Sequence, residues 1–151
     1  MLVIKSPSDM RALGRRIGGS CTAGDLILLS GPLGAGKTAL TQGIGDAFGI
    51  ENVTSPTFVI SRVHPKGAKG ISLVHADAYR LQQDAESTVL FDDLDIEDHL
   101  ASSVTVIEWG KDLANRLTED YLEIDIEYGD SETERLVTAT PHGERWVGFS
   151  L

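Results

Sequence analysis

The stretch at residues 26–43, LILLSGPLGAGKTALTQG, decides the fold of this chain. Gly31, Gly36, Lys37 and Thr38 satisfy the pattern G-x-x-x-x-G-K-[ST], which is the spacing of a phosphate-binding loop (P-loop). A short apolar run precedes the loop and a helical pattern follows it, and the motif binds phosphate in this strand–loop–helix context. The stretch therefore predicts a nucleotide-binding α/β domain.

The chemistry of the loop follows from its glycines and from the helix that begins after them. Glycine lets the backbone turn tightly enough for its N–H groups to surround phosphate oxygens, and the helix N-terminus adds partial positive charge. Lys37 is expected to reach the β- and γ-phosphates, and Thr38 to ligate Mg²⁺. The predicted nucleotide-binding residues here are Leu33, Gly34, Ala35, Gly36, Lys37, Thr38 and Ala39. The sequence has no N-K-x-D stretch, which guanine specificity usually needs, so ATP with Mg²⁺ is the predicted ligand.

The remaining patterns predict one domain, residues 1–151, built on a mixed sheet. Ser6 as N-cap, with Pro7 and Asp9 after it, marks a helix that follows a short first strand. Further helices are expected at 36–48, in part of 84–100 and at 110–117. The strand before the P-loop is expected at 25–31, and a hairpin at 57–65 with 70–79. A buried strand is expected at 103–109, and a C-terminal meander at 121–129, 134–140 and 145–151. The predicted fold is an α/β sandwich of the P-loop NTPase type, with central parallel strands and an antiparallel C-terminal meander.

The charge of the chain bears on its partners. Acidic residues outnumber basic ones 23 to 13, for a net charge of −10 and a pI near 4.7. Phosphate backbones are bound through Lys and Arg, so the chain is not expected to hold RNA or DNA without a basic partner. The acidic segment 84–98 predicts a solvated helix face or a surface for such a partner. No apolar run reaches the ~20 residues that span a bilayer, and the single cysteine, Cys21, is expected to be a small buried residue. A cytoplasmic chain, monomeric when alone, is predicted.

Two carboxylates follow predicted strands and are candidates for metal and water chemistry. In open α/β sheets, residues that contact ligands lie beyond the carboxyl ends of strands. The run VTVIE places Glu108 at such an end, in the manner of a Walker B segment, and LVHAD places Asp77 similarly. Glu108 is expected to bind Mg²⁺ directly or through water, and Asp77 to orient the attacking water or support the metal's water ligands. Together with Lys37 they form the predicted catalytic set; the alternative for each acid is a surface position at a strand end.

Several polar or aromatic residues have two interpretations each. The segment 54–58, TSPTF, either senses the γ-phosphate or caps the entry to the next strand. Arg80 either pairs with Asp77, phosphate or a partner, or forms a surface salt bridge, and Trp109 either packs near the nucleotide or anchors the sheet. His75, on an apolar strand, is expected to be a hydrogen-bonded core histidine and not a ligand. The predicted switch or partner-contact residues are Ser55, Pro56, Thr57, Tyr79, Arg80 and Trp109.

Four motifs in one order, GPLGAGKT, SPTF, HADAYRL and VIEWG, resemble the TsaE (YjeE) family of bacterial P-loop ATPases. The resemblance extends from the first predicted helix to the C-terminal strands. It implies a subunit that joins TsaB and the carbamoyl-transferring TsaD in tRNA threonylcarbamoyladenosine biosynthesis. It further implies that ATP hydrolysis supports repeated modification of the tRNA adenosine next to the anticodon, with tRNA reached only through the complex.

The resemblance also implies roles for individual residues. Glu108 becomes the second metal ligand beside Thr38, and Arg135, by rough alignment, lies near the nucleotide. Residues 77–80 fall on the family's D-x-Y-R motif. Pro32 stands where the family commonly has Asp, so any role of that acid is absent here.

The residues by themselves are also compatible with two other functions. A small-molecule or nucleoside kinase is one, because Asp-x-Tyr-Arg after a strand could position an acceptor hydroxyl, although the scattered arginines show no clear lid. A nucleotide-dependent binding module that never hydrolyses ATP is the other.

Overall fold

A computed structural model describes residues 1–54, 61–78, 99–109 and 117–151. Several predictions lie wholly or mostly outside these ranges: those on Ser55, Pro56, Thr57, Tyr79 and Arg80, on the acidic stretch 84–100, and on the helix at 110–117. Within the four ranges, no helix is long and apolar enough to cross a membrane.

The described ranges contain seven strands that form one mixed sheet. The strands are β1 (Leu2–Ile4), β2 (Leu26–Ser30), β3 (Ser61–His64), β4 (Ser72–Asp77), β5 (Ser103–Glu108), β6 (Tyr121–Tyr128) and β7 (Arg135–His142). Their order across the sheet is β1-β7-β6-β2-β5-β4-β3. Strands β4, β5, β2 and β6 run parallel at the centre, and β3, β7 and β1 pair antiparallel outside them. The prediction of a mixed sheet with parallel central strands is confirmed, as is the β3–β4 hairpin.

Among the described residues, helices α1 and α2 pack on this sheet. Helix α1 (Pro7–Ser20) begins after Ser6, whose Oγ accepts a hydrogen bond from the Asp9 N–H at 3.1 Å, as the N-cap prediction requires. The residues of α1 that face the core are Met10, Leu13 and Ile17. Helix α2 (Lys37–Ala47) follows the P-loop and ends before Gly49, whose φ of 73° suits glycine after a helix. Helix α1 begins at the predicted residue, and α2 lies within one residue of its predicted bounds, 36–48.

The side of the sheet on which these helices pack is called the helix face below. Successive side chains of a strand point to opposite faces. Leu29, Leu73 and Val106 belong to one buried cluster that also contains the apolar side chains of α1 and α2. Leu28 and Ile107 belong to a second cluster, on the opposite face. Apolar side chains are therefore buried on both faces of the central strands, as is typical of parallel strands that are covered on both sides.

The C-terminal prediction is wrong in one part. Strands β6 and β7 form the expected antiparallel hairpin, but residues 145–151 do not form a third strand. Glycines with φ of 78° and 81°, Gly143 and Gly148, flank a short 3₁₀ helix at Glu144–Trp146, and this backbone cannot continue a ladder. Trp146 is buried at 1% exposure, so the segment is held by its side chain in the core. The edge position beside β7 is taken by β1.

Candidate functional site

The P-loop between β2 and α2 takes its shape from glycines. Gly34 and Gly36 have φ of 78° and 106°, a region that favours glycine. Gly36 is the N-cap of α2, and no side chain caps the first turn of that helix. Since the first N–H groups of a helix have no partner within the helix, an uncapped first turn is suited to bind an anion.

Lys37 is held at the centre of the loop by main-chain oxygens. Its Nζ donates to the carbonyls of Gly31 at 2.7 Å and Pro32 at 3.0 Å, and the residue is 8% exposed. The ammonium also lies 5.2 Å from the centre of the Trp109 ring, within cation–π range. The contact with residue 32 uses a main-chain carbonyl, which every residue type carries, so a proline at this position can make it.

The turn end of the β6–β7 hairpin holds the tip of the P-loop. The Tyr128 hydroxyl donates to the carbonyl of Leu33, and Arg135 Nη2 donates to the carbonyl of Gly34 at 3.3 Å. The Arg135 guanidinium lies 4.8 Å from the centre of the Tyr128 ring, so the two side chains also contact each other. We call Tyr128 and Arg135 the hairpin latch. Arg135 thus lies against the P-loop backbone, and its place near the nucleotide stays a prediction.

A cavity of about 250 Å³ lies over the loop and brings predicted site residues together. Its lining consists of Leu33, Gly34, Gly36, Lys37, Thr38 and Glu108. Thr38 supplies a hydroxyl oxygen and Glu108 a carboxylate. Mg²⁺ prefers oxygen ligands and usually takes one or two from the protein with the rest from water and phosphates. The donor set at the cavity therefore fits a magnesium ion that a nucleotide brings with it.

The sheet register places both predicted carboxylates on the helix face. Asp77 and Glu108 are directly paired in the parallel ladder of β4 and β5, so they lie on the same face. By strand alternation this is the face of Leu73 and Val106, against which α2 packs. Glu108 lines the cavity itself, and Asp77 ends the neighbouring strand. The catalytic role of Asp77 and the nucleotide-binding role of Ala39 stay predictions.

Trp109 has an unusual backbone for a tryptophan. Its φ is 61°, which side chains with a Cβ rarely adopt, and its N–H donates to the carbonyl of Leu29 at 3.0 Å. The turn at the end of β5 brings the indole, 37% exposed, next to Lys37. Of the two interpretations of Trp109, the one beside the phosphate loop agrees with this placement.

His75 is buried, as expected, but its partner was not foreseen from the sequence. Its Nε2 lies 2.9 Å from Oε1 of Glu108, and the imidazole is 0% exposed. The sequence contains part of this information: His75 and Asp77 are two residues apart on one strand, so their side chains lie on the same face of the sheet. Locating Glu108 on that face needs the order of strands in the sheet.

A second cavity of about 210 Å³ adjoins the first along the P-loop. Its lining is contributed by the start of α1, the P-loop and the β6–β7 turn: Ser6, Pro7, Met10, Gly34, Ala35, Gly36, Glu132, Thr133 and Arg135. Gly34 and Gly36 line both cavities. Sequence reasoning named Arg135 here but missed Met10 and Thr133, since a core position and a turn residue carry no motif.

A glycine-rich loop that joins a buried parallel strand to a helix, in a mixed sheet with acids at neighbouring strand ends, defines a P-loop α/β domain. A family model described as "Threonylcarbamoyl adenosine biosynthesis protein TsaE" matches residues 4–137 of this chain. The chain belongs to the TsaE family.

Curated relatives and a solved structure agree with this membership. A tRNA threonylcarbamoyladenosine biosynthesis protein TsaE from Streptomyces coelicolor is 51% identical over 142 residues, covering 91% of this chain and 94% of the relative. Proteins with the same name from Mycobacterium bovis and Bacillus subtilis are 42% and 32% identical, covering 86% and 93% of this chain and 80% and 85% of the relatives. A crystal structure of YdiB from Bacillus subtilis superposes with a TM-score of 0.76 at 26% identity, covering 96% of this chain and 86% of that one.

Proposed function

We propose that this chain binds and hydrolyses ATP with Mg²⁺ as a subunit of a tRNA-modifying assembly. Family membership supports the process, tRNA threonylcarbamoyladenosine biosynthesis. The observation that carries the proposal is the cavity in which Lys37, Thr38 and Glu108 meet above the uncapped first turn of α2. A cation, a hydroxyl and a carboxylate around a helix N-terminus suit a triphosphate with its magnesium ion.

The two adjoining cavities suggest how the nucleotide lies. The phosphates occupy the cavity that contains Lys37, and the adenine base occupies the neighbouring, more apolar cavity against Met10 and Pro7. Because Gly34 and Gly36 line both, the ribose would cross the P-loop at these glycines, where no side chain obstructs it.

The magnesium ion would be held by Thr38 and Glu108 together with phosphate oxygens. When bound, the ion neutralises charge that develops on the phosphates. This chain's own contribution is to position the phosphates with P-loop N–H groups and to place the Lys37 ammonium beside them. Asp77, paired in register with Glu108, would orient the attacking water.

The charge of the chain supports a division of labour with partners. A net charge of −10 opposes direct binding to tRNA, so tRNA would be held by the other subunits, for which we propose TsaB and TsaD. The chain itself would be a cytoplasmic monomer that meets tRNA only within this complex.

ATP turnover by the purified chain, alone and with a TsaB–TsaD pair, tests the proposal. Slow hydrolysis alone and a severalfold higher rate with the pair are expected. ATP that is bound but hydrolysed at the same rate with and without the pair would argue against a partner-stimulated subunit. A phosphorylated metabolite in an acceptor screen would favour the kinase alternative instead.

Substitutions test the site by calorimetric ATP binding in Mg²⁺. Lys37→Ala should abolish binding and Thr38→Ala should weaken its Mg²⁺-dependent part, whereas Glu108→Ala should keep binding at saturating Mg²⁺ and lose turnover. Lys66→Ala, at an exposed lysine of the β3–β4 loop, is the matched control and should bind ATP normally. Unchanged affinity in both Lys37→Ala and Thr38→Ala would remove the phosphate assignment. A chain that binds ATP but shows no turnover before any substitution would be an adaptor.

A further inference from the structure

The pairing of His75 with Glu108 is a buried polar contact that the proposed chemistry does not use. His75 is 0% exposed and Glu108 6% exposed, and the 2.9 Å contact joins Nε2 of the imidazole to Oε1 of the carboxylate. Glu108 also lines the P-loop cavity, so this one side chain contacts both the sheet interior and the candidate nucleotide site.

The direction of this hydrogen bond follows from the chemistry of its partners. A glutamate that binds Mg²⁺ does so as a carboxylate, which can only accept, so in the proposed site the imidazole must donate from Nε2. His75 Nδ1 is buried and has no hydrogen-bond partner among the described residues. A neutral imidazole with its proton on Nε2 leaves only an acceptor unpaired at Nδ1, whereas the opposite tautomer would bury an unpaired N–H and face the carboxylate with a lone pair.

The pair also restricts the carboxylate. A glutamate at a strand end has three rotatable side-chain bonds, and each unrestrained one lets its oxygens leave the geometry that a ligand needs. The bond from His75 holds Oε1, and the imidazole is itself fixed because it is enclosed in the sheet interior. Because Glu108 also lines the cavity, Oε2 is the oxygen that this bond leaves available to a ligand there.

We propose that His75 is a positioning residue for the metal carboxylate: its Nε2–H holds Oε1 of Glu108 so that Oε2 is presented to the magnesium ion of bound ATP. The role resembles that of outer-sphere partners of metal ligands in general, whose loss typically costs tenfold to a hundredfold in metal affinity or activity. This inference rests on the proposed function of the same site.

Two variants separate positioning from packing. His75→Leu removes the donor while filling a similar volume, and His75→Gln places an amide N–H near the original Nε2. His64→Leu is the matched control, because His64 is a buried histidine on the adjacent strand. ATP affinity is measured by calorimetry in Mg²⁺ and in EDTA, together with the Mg²⁺ concentration that gives half-maximal binding.

His75→Leu should raise that Mg²⁺ concentration by about tenfold to a hundredfold and leave ATP affinity in EDTA unchanged. His75→Gln should recover most of the loss, and His64→Leu should match the unsubstituted protein. Wild-type Mg²⁺ dependence in His75→Leu would overturn the inference. So would a loss of ATP affinity that is equal in Mg²⁺ and EDTA, since this is what a purely structural role predicts.

The tautomer of His75 in the unsubstituted protein keeps the inference testable if His75→Leu does not fold. Nitrogen NMR of the imidazole should show a proton on Nε2, and an unprotonated Nε2 would overturn the inference. The unsubstituted protein shows which of the two claims fails. If it does not bind ATP in a Mg²⁺-dependent way, both the proposed function and the role of His75 are wrong. If it does, and His75→Leu behaves in the same way, only the role of His75 is wrong.

Discussion

At the scale of single residues, main-chain groups position the side chains of the candidate site. Lys37 is anchored by two carbonyls of its own loop, and Trp109 reaches it only because residue 109 adopts a positive φ. Strained backbone of this kind costs about 1–3 kcal/mol and persists where the surroundings enforce it. Here the hydrogen bond from the Trp109 N–H to Leu29 is part of that enforcement.

The Cys21 thiol is expected to be unreactive in the folded protein. Burial raises its pKa to about 12, with a smaller contribution from the charge of Asp25, and its Sγ donates to the carbonyl of Ile17 at 3.2 Å. The thiolate is the reactive form, so a disulfide reagent at pH 8 should react at least about a hundredfold more slowly than with the chain in guanidinium chloride. Equal rates in the two conditions would contradict the buried placement.

Asp46 should make stability depend on pH in acid. The hydrogen bond from Arg11 holds the pKa of this carboxyl below its usual value, with further help from Arg15 against the opposing effect of burial. A lowered pKa in the folded state stabilises the protein above the unfolded value of about 3.9. That contribution is lost as pH falls from there through the folded pKa. Urea unfolding at pH 6 and pH 3 should therefore show a smaller decrease in the free energy of unfolding for Asp46→Asn than for the unsubstituted protein.

At the scale of elements, α1 and α2 pack closely against each other, and each reaches one of the two cavities with its first turn. α1 contributes its first turn to one cavity, and α2 begins at the other. The helices contact each other through glycines: a Cβ on Gly14 would lie 2.1 Å from the carbonyl oxygen of Leu40 and 2.9 Å from Cα of Gly43. The three atoms nearest to that position all belong to the backbone of α2, so the helices would have to move apart to accommodate a side chain.

Gly14→Ala should destabilise the protein although alanine is the better helix former. Overpacking against backbone costs about 1–3 kcal/mol, which exceeds or offsets the gain of roughly 1 kcal/mol from helix propensity. Gly19, in the same helix, has no atom within 4 Å of a built Cβ, so Gly19→Ala should be neutral or stabilising. Thermal and urea unfolding of the two variants provide the comparison, and equal effects would contradict this packing.

The hairpin latch should influence nucleotide affinity through the P-loop backbone. Tyr128→Phe keeps the ring that contacts Arg135 and removes only the hydroxyl that donates to Leu33. A neutral hydrogen bond contributes about 0.5–1.5 kcal/mol, so ATP affinity by calorimetry should fall about twofold to tenfold. Tyr128 is half exposed, and the free energy of unfolding should change little. An unchanged ATP affinity would show that the latch does not hold the loop in its binding form.

At the scale of the whole molecule, an ion pair ties the C-terminal segment to the start of the P-loop strand. Arg145 donates from Nε and Nη2 to the two carboxylate oxygens of Asp25, at 2.9 and 2.7 Å, and from Nη2 to the carbonyl of Ser20. Asp25 is 5% exposed and also accepts from the N–H of Thr22. The contact joins the end of α1, the start of β2 and the 3₁₀ helix, which lie far apart in sequence.

Arg145→Met should destabilise the fold by about 2–4 kcal/mol, because it leaves a buried carboxylate without its counter-charge. The double variant Asp25→Asn with Arg145→Met should recover part of that loss, because the uncompensated charge is then gone as well. The free energies of unfolding of the single and double variants measure both effects. A double variant less stable than Arg145→Met would contradict this account.

Local patterns predicted much of this fold. The Ser6 N-cap, the apolar run of β2 and the glycine-rich loop each act within a few residues, so they specify the same local structure wherever the chain places them. Because such patterns act only over a few residues, the prediction at residues 145–151 was wrong: apolar and polar residues alternate there as they do in a strand. The burial of Trp146 and the positive φ of two glycines, both consequences of tertiary packing, give that segment another form.

The sequence by itself determined the P-loop, the helix after it and the two acids at strand ends, because each depends on hydrogen bonds and alternation within one short segment. Only the tertiary structure decided that β4 lies beside β5, that His75 meets Glu108, and that three distant segments enclose the second cavity. The physical reason is that contacts between elements depend on the order and register of strands, and residue spacing along the chain does not contain that information.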